Sequence, residues 1–429
     1  MRGAGTRKPV RALGGRLCLA FLWVWAAYWL AVLAFPASPA GGNLLGGASI
    51  QLVFVAITAS CMYCFRPSAD ESWRCIAHLS SGSGVGRASW LGLALGTVGT
   101  GFILSDRIVI QGVDYDNGLA AARASWQSAA DGRSGASSVL SVLGYMFGGC
   151  HFAAAVLVIL RIHRHPTLLQ SIVLIACTAV VLLSSAINGG RSSVLLFLVY
   201  CLSALLLNTR VCVKKMFLSP PVLLVGVFAL QYSLAVFASR AALSGETCRD
   251  YTLEMMEYLQ LNPSAWLTSC ELPDALWLTT LAWAYLTHSF STTCLIAGEP
   301  TTQSVMIGFY PILMLSKLGL VGPPDRDWFL AGRFPSLPGA LYHQFGAVGL
   351  AGGSALLGVV TSVTLRVLGR FPHSLVALGA FLSAATTVFL SPELAAIDFL
   401  GFASAALGFV ILAPFVGSAQ QSVWPGCRG

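Results

Sequence analysis

Residues 167–208 read TLLQSIVLIACTAVVLLSSAINGGRSSVLLFLVYCLSALLLN. Two apolar runs, 167–187 and 192–208, flank Asn188-Gly189-Gly190-Arg191. Each is close to the roughly 20 residues that cross a hydrocarbon layer, and lipid admits such a run only as helix. The stretch therefore reads as two membrane helices joined by a sharp reversal. Arg191 sits at that reversal, where chain meets lipid boundary. Its guanidinium keeps its proton and offers a planar fork of donors suited to phosphate. Gly189 and Gly190 let the backbone approach a ligand closely. The alternative is an interfacial arginine whose stem snorkels to the headgroups.

The pattern extends outward from this pair. The chain has 429 residues, 56% hydrophobic and only 10% charged, with mean hydropathy +0.76. Soluble domains carry about 25% charged residues. The sequence predicts an all-α, polytopic transmembrane bundle, residues 1–429 forming a single integral membrane domain. Spans are expected near 17–35, 46–65, 89–105, 138–160, 167–187, 192–208, 220–239, 277–297, 304–320, 345–364, 373–391 and 395–416, about twelve. Glu299-Pro300 and many hydroxyl residues interrupt the 277–320 region, which reads either as two spans or as a re-entrant pair. Arg2, Arg7, Lys8, Arg11 and Arg16 precede the first run as they would in a signal peptide. That run is long for a signal core, so a retained helix is expected.

The net charge of +8 reflects topology rather than nucleic-acid binding, because the basic residues are scattered among loops. With the N-terminus inside, cytoplasmic loops hold Arg66, Arg74, Arg87, Arg161, Arg164, Arg210, Lys214, Lys215, Arg366 and Arg370, as the positive-inside rule requires. The long external loops, 106–137, 240–276 and 321–344, hold most of the acids. They also hold Arg107, Arg123, Arg133, Arg240, Arg249, Arg326 and Arg333, against the rule. Loops of this length are usually functional. The 12 cysteines lie mostly in apolar runs without metal-ligand spacing. Cys248 and Cys270 share one external loop and could pair if that face is oxidising.

Arg191, Arg240, Arg333 and Arg107 are candidates for a ring of cations at one depth. Such a ring would neutralise a pyrophosphate as it leaves a glycosyl carbon. His343, after Tyr342, could take a proton from a sugar hydroxyl; Asp106, Asp114, Asp116 and Asp325 are rivals. Tyr342, Arg123 and Trp328 are candidates for sugar contact. Asp114-Tyr115-Asp116 is weak as a metal pair and reads more simply as a solvated turn, so no metal or cofactor is expected. His288 lies among hydroxyl residues, the kind of intramembrane polar group that lines a cavity. No P-loop, Rossmann fingerprint, zinc-protease motif or nucleophile elbow is present.

Pro335-Ser-Leu-Pro-Gly-Ala-Leu-Tyr-His-Gln-Phe-Gly-Ala-Val-Gly349 resembles the segment before a late span in the Wzy-type O-antigen polymerase family of oligosaccharide repeat-unit polymerases. Asn188-Gly-Gly-Arg191 is similar to that family's Gly-Arg before a middle span, and Asp106-Arg107 with Arg123 downstream resembles a further family feature. Where many members have Asp before Phe-Gly, this chain has Gln344, preceded by His343. The resemblance implies a glycosyltransferase-C-like enzyme of the bacterial inner membrane with its active site facing the periplasm. It would join undecaprenyl-pyrophosphate-linked oligosaccharide units and release undecaprenyl pyrophosphate. A chain-length regulator is a further expected partner. The rival readings are a lipid-oligosaccharide flippase or other transporter, and an O-antigen ligase. A flippase should carry cations deep in several spans and often an internal repeat. This chain keeps its arginines near span ends and shows no evident repeat.

Overall fold

The computed structural model describes residues 13–67, 84–116, 118, 121–122, 125, 138–162, 166–188, 192–208, 220–299, 305–317, 319–322 and 335–417. They form a helical bundle. In chain order the helices are α1 (Leu13–Ala34), α2 (Leu44–Cys64), α3 (Gly84–Ser105), α4 (Val139–Gly148), α5 (Cys150–Arg161), α6 (Leu168–Asn188) and α7 (Ser192–Leu207). After these come α8 (Pro220–Ser244), α9 (Cys248–Tyr258), α10 (Ala265–Ser269), α11 (Asp274–Gly298), α12 (Phe309–Lys317), α13 (Leu337–Arg370), α14 (Leu375–Leu390) and α15 (Leu400–Gly417). A π-helical turn, Asp106–Ile110, continues α3, and a 3-10 turn, Ala396–Asp398, precedes α15. One small departure from all-helix exists. Strands β1 (Ala37–Pro39) and β2 (Leu261–Pro263) pair antiparallel, with Ser38 opposite Asn262.

Among the described residues, six helices are long and apolar enough to cross a membrane: Leu13–Ala34, Leu44–Cys64, Val85–Ile110, Val139–Arg161, Leu168–Asn188 and Leu337–Arg370. Shorter apolar helices occupy Ser192–Leu207, Leu234–Ser244, Leu375–Leu390 and Leu400–Val416. Contacts sort the helix termini into two ends. At one end Gly14 meets Arg66, Gly86 meets Arg161, and Arg366 donates to the Phe65 carbonyl at 3.1 Å. There too Asn208 donates to the carbonyls of Ile159 and Ile162 at 2.7 and 2.9 Å. Arg16, Arg66, Arg87, Arg161, Arg366 and Arg370 fall at this end, with no acid among its described residues. The described Asp and Glu residues belong to the other end. The charge separation is the one a membrane orientation imposes.

Between helices in lipid, close packing replaces hydrophobic association. A Cβ on Gly149 would lie 1.8 Å from the Ser404 carbonyl oxygen, and one on Gly408 would lie 2.5 Å from that of Gly149. A Cβ on Gly99 would lie 2.4 Å from the backbone nitrogen of Gly148. Glycine thus brings α3, the α4–α5 junction and α15 into backbone contact. In the same way Gly358 lets α13 lie against α2, where Thr58 donates to the Ser354 carbonyl at 3.2 Å and Ser362 to that of Met62 at 3.1 Å.

Three parts of the expected topology change. The 277–297 run is helical, but its contacts stay at the acid-bearing end. Trp283 donates to the Ala31 carbonyl at 3.0 Å, Phe290 packs on Trp29, and Asn43 N–H donates to the Cys294 carbonyl at 2.8 Å. Every one of these partners lies within about two helical turns of that end, so α11 lies across the bundle. The 304–320 run yields only α12 among its described residues. The third long loop also ends early. Ser336 accepts from Gly339 N–H at 3.3 Å and starts α13 at Leu337 rather than near 345.

Gly346 then breaks α13 at φ 65°, ψ −161°, a region open essentially to glycine. Residues 337–341 are buried against α11 and Ser391, while the rest of α13 continues to the basic end. Gly346→Ala is expected to cost about 1–3 kcal/mol and to lower the melting temperature of the detergent-purified protein. An unchanged melting temperature would show that the kink is not required.

Candidate functional site

Arg107 and Asp106 stand where α3 passes into the π-helical turn. The wider turn carries Gln111 N–H to the Asp106 carbonyl at 2.9 Å, setting Gln111 beside both residues. The Gln111 side chain donates to the Asp106 carboxylate and accepts from Arg107 Nη1 at 2.9 Å. Ser138 donates to the other Asp106 oxygen and caps α4 by accepting from Ser141 N–H at 3.2 Å. Arg107 Nη2 reaches Asn188 Oδ1 at 3.5 Å, and Asn188 in turn donates to the Ser184 carbonyl at 2.9 Å. Tyr145 lies within hydrogen-bonding reach of Arg107, and Tyr115 donates to the Ile187 carbonyl at 3.2 Å.

Asp106 is 1% exposed and Arg107 5%. A guanidinium so enclosed at a lipid boundary is costly without partners. Here a carboxylate, two amides and a tyrosine surround it, and its fork is directed between α3, α4 and α6. Asp106 is bound to Ser138 and Gln111, which makes it the residue that orients Gln111 and, through it, Arg107. That position suits it less well to accept a proton from a substrate. Asp106-Arg107 therefore meets Asn188, the first residue of the Asn188-Gly-Gly-Arg191 motif. Arg191 itself, with Arg333, Arg123 and Trp328, lies outside the described residues.

A second polar group forms where α13 begins. Gln344 Oε1 accepts from Met306 and Ile307 N–H at 3.1 and 3.0 Å. Asp398 accepts from Gly308 and Phe309 N–H at the start of α12. Four successive backbone amides are thus held by two side chains. Gln344, where the resembled family often carries Asp, serves here as a neutral acceptor for backbone. His343 is 1% exposed, and Tyr342 is half-buried against Ile296, Met306 and Ala340. His288, flagged as a cavity-lining group, is buried with Nδ1 2.7 Å from the Tyr285 carbonyl.

Burial pushes the Asp398 carboxyl up to about 7, against the opposing pull of the two N–H groups. Burial also holds Glu393, in the same connection, well above the usual carboxylate range. The folded state therefore keeps protons that an unfolded chain releases near pH 4. The stability these groups contribute is full below about pH 4 and is lost as pH rises through 7 for Asp398. Melting temperature is expected to fall between pH 5 and pH 8. Asp398→Asn should flatten that slope, leaving the part due to Glu393. An equally steep slope in Asp398→Asn would contradict the assignment.

The start of α15 lies near both groups. Ser404 donates to the Tyr145 carbonyl, beside Arg107, and Gly401 rests on Leu196 and Ser193 of α7. Asp398 precedes Gly401 by three residues. Arg240 stands elsewhere. It is half-buried near the end of α8, whose Phe237 and Ala241 pack with Tyr251 of α9 and Leu278 and Leu281 of α11. Among the described residues, Arg107 sits with Asp106, Gln111 and Asn188, and Arg240 sits on α8 beside α9 and α11; Arg191 and Arg333, the other members of the expected ring, lie outside the described residues. Cys248 and Cys270 are free thiols. Asp116 N–H donates to Asp114 Oδ1 at 2.8 Å, the geometry of a simple turn. No cluster of metal-ligating side chains occurs among the described residues.

Gln111, Ser138 and Gln344 were not singled out from sequence as functional. Their types are common at surfaces, and only the fold reveals their partners. No protein-family model, curated protein or solved structure matches the chain.

Proposed function

We propose that this protein is a membrane glycosyltransferase that polymerises undecaprenyl-pyrophosphate-linked oligosaccharide repeat units. The observation that carries the reading is the buried Arg107, held beside Asn188 of the Asn-Gly-Gly-Arg191 stretch at the end of the bundle opposite its basic end. In a bacterial inner membrane the positive-inside rule turns that end to the periplasm, where a lipid-linked donor presents its pyrophosphate. Arg107 and Arg191 bind the diphosphate in this reading, and their fixed charge stabilises it as it departs. Asp106 and Gln111 hold the Arg107 fork in place.

His343, 1% exposed, must be uncovered by movement of the 335–345 segment before it can take the acceptor proton. Arg240 and Arg333 serve the second lipid-linked substrate, and Tyr342, Arg123 and Trp328 meet sugars. The polyprenyl tail enters from lipid between helices. A flippase is less well supported, because Arg107 lies at the end of its helix instead of midway through the bundle.

The test is the surface-glycan gel profile of a deletion strain. Glycan capped at a single repeat unit, restored to long polymer by the wild-type gene, is the expected result. Complete loss of surface glycan would point to a flippase or ligase and overturn the reading.

A further inference from the structure

Beneath α11, side chains from α1, α2, α11 and the 391–393 turn form a buried polar cluster. Tyr28 and Ser289 share a hydrogen bond of 2.6 Å, and Ser289 donates to the Pro392 carbonyl at 2.8 Å. Trp25 Nε1 donates to Ser391 Oγ at 3.2 Å. Gln51 of α2 lies beside the Tyr28 hydroxyl but makes no well-formed hydrogen bond to it. Gln51 is 0% exposed, and both its Oε1 and its Nε2 lack a protein partner.

Three hydroxyls of α11 near this point are satisfied locally, while Trp29 Nε1 beside Tyr28 is buried without a protein partner. Thr287, Thr292 and Thr293 of α11 donate to the carbonyls of Trp283, His288 and Ser289, one turn back. Gln51 has no such outlet. A buried amide with neither group paired is rare in native proteins. Its occupant must both donate and accept. A metal cation would satisfy Oε1 and leave Nε2 orphaned, and an anion would do the reverse. Water does both, and polar buried sites of this kind hold it. Glu393 is the one partly exposed member of the group, and its carboxyl is within electrostatic reach of Tyr28.

We infer that Gln51 anchors an internal water site, shared with Tyr28 and Ser289 and opening toward Glu393. It forms a hydrated connection between the bundle interior and the acid-bearing end. The inference is independent of the proposed activity, because it rests on α1, α2, α11 and the 391–393 turn, none of which the proposed site uses.

X-ray hydroxyl-radical footprinting of the full chain in detergent tests it, since radicals born from trapped water modify adjacent side chains. Tyr28 and Trp25 are expected to be modified several-fold faster than the buried residues of the same type, Tyr200 and Trp277. In Gln51→Met the rates at Tyr28 and Trp25 should fall to those of the controls. Control-level modification of Tyr28 and Trp25 in the wild type would mean a dry pocket and overturn the inference. Unchanged rates in Gln51→Met would overturn the role of Gln51. Should Gln51→Met fail to fold, the wild-type comparison still decides between a hydrated and a dry pocket.

Discussion

Arg107→Lys is expected to stop chain elongation while the protein remains in the membrane at wild-type abundance. The ammonium keeps the charge but cannot bridge Gln111 and Asn188 as a planar fork does. Loss of one preorganised donor at a departing oxyanion lowers turnover on the order of 10²–10³-fold. Surface glycan would then collapse to single repeat units on a gel. Arg107→Ala should be at least as severe in activity. It also leaves Asp106 beside an empty cation position, which costs stability, so its abundance should fall as well. Long polymer from Arg107→Lys at normal abundance would remove Arg107 from the reaction.

Gly149→Leu is expected to eliminate folded protein. Its Cβ would fall 1.8 Å from the Ser404 carbonyl oxygen, and backbone cannot rotate aside as a side chain can. Overpacking that side chains can absorb commonly costs about 1–3 kcal/mol; a clash with backbone at 1.8 Å, enlarged by a leucine side chain, exceeds that range and competes with a typical total stability of about 5–15 kcal/mol. Here α15 would have to move away from the α4–α5 junction, and Gly408 contacts the same point from the other side. Gly101→Ala is the matched control, because nothing lies within 4 Å of its Cβ position. Size-exclusion profiles in detergent should show a monodisperse peak for Gly101→Ala and aggregate for Gly149→Leu. A normal peak for Gly149→Leu would mean that α15 does not pack there.

Hydropathy located most helices within a few residues, because lipid forces backbone groups to pair within each segment. It did not reveal that α11 lies across the bundle. Its apolar run satisfies a length criterion, and only Trp283, Phe290 and Cys294 show which neighbours it prefers. The early start of α13 was masked by proline. Pro335 and Pro338 read as loop residues, yet Pro338 occupies a first-turn position where proline is tolerated.

At the site, charge against the positive-inside rule drew attention to Arg107, and Asn188 lay within a motif already noted. Their contact joins residues 81 positions apart, which no local pattern encodes. Arg240 satisfied the same charge criterion, and its helix packs against α9 and α11. The Gln344 and Asp398 hold on residues 306–309 was hidden for the same reason.

The central claim is that Arg107, with Arg191 beside its partner Asn188 in sequence, binds a lipid diphosphate. Thermal stabilisation of the purified protein by undecaprenyl pyrophosphate, compared with undecaprenol, tests it most directly. The diphosphate should stabilise the wild type and the Arg249→Ala surface control. The effect should be lost in Arg107→Lys and Arg191→Ala. Equal stabilisation of all four proteins would contradict the account.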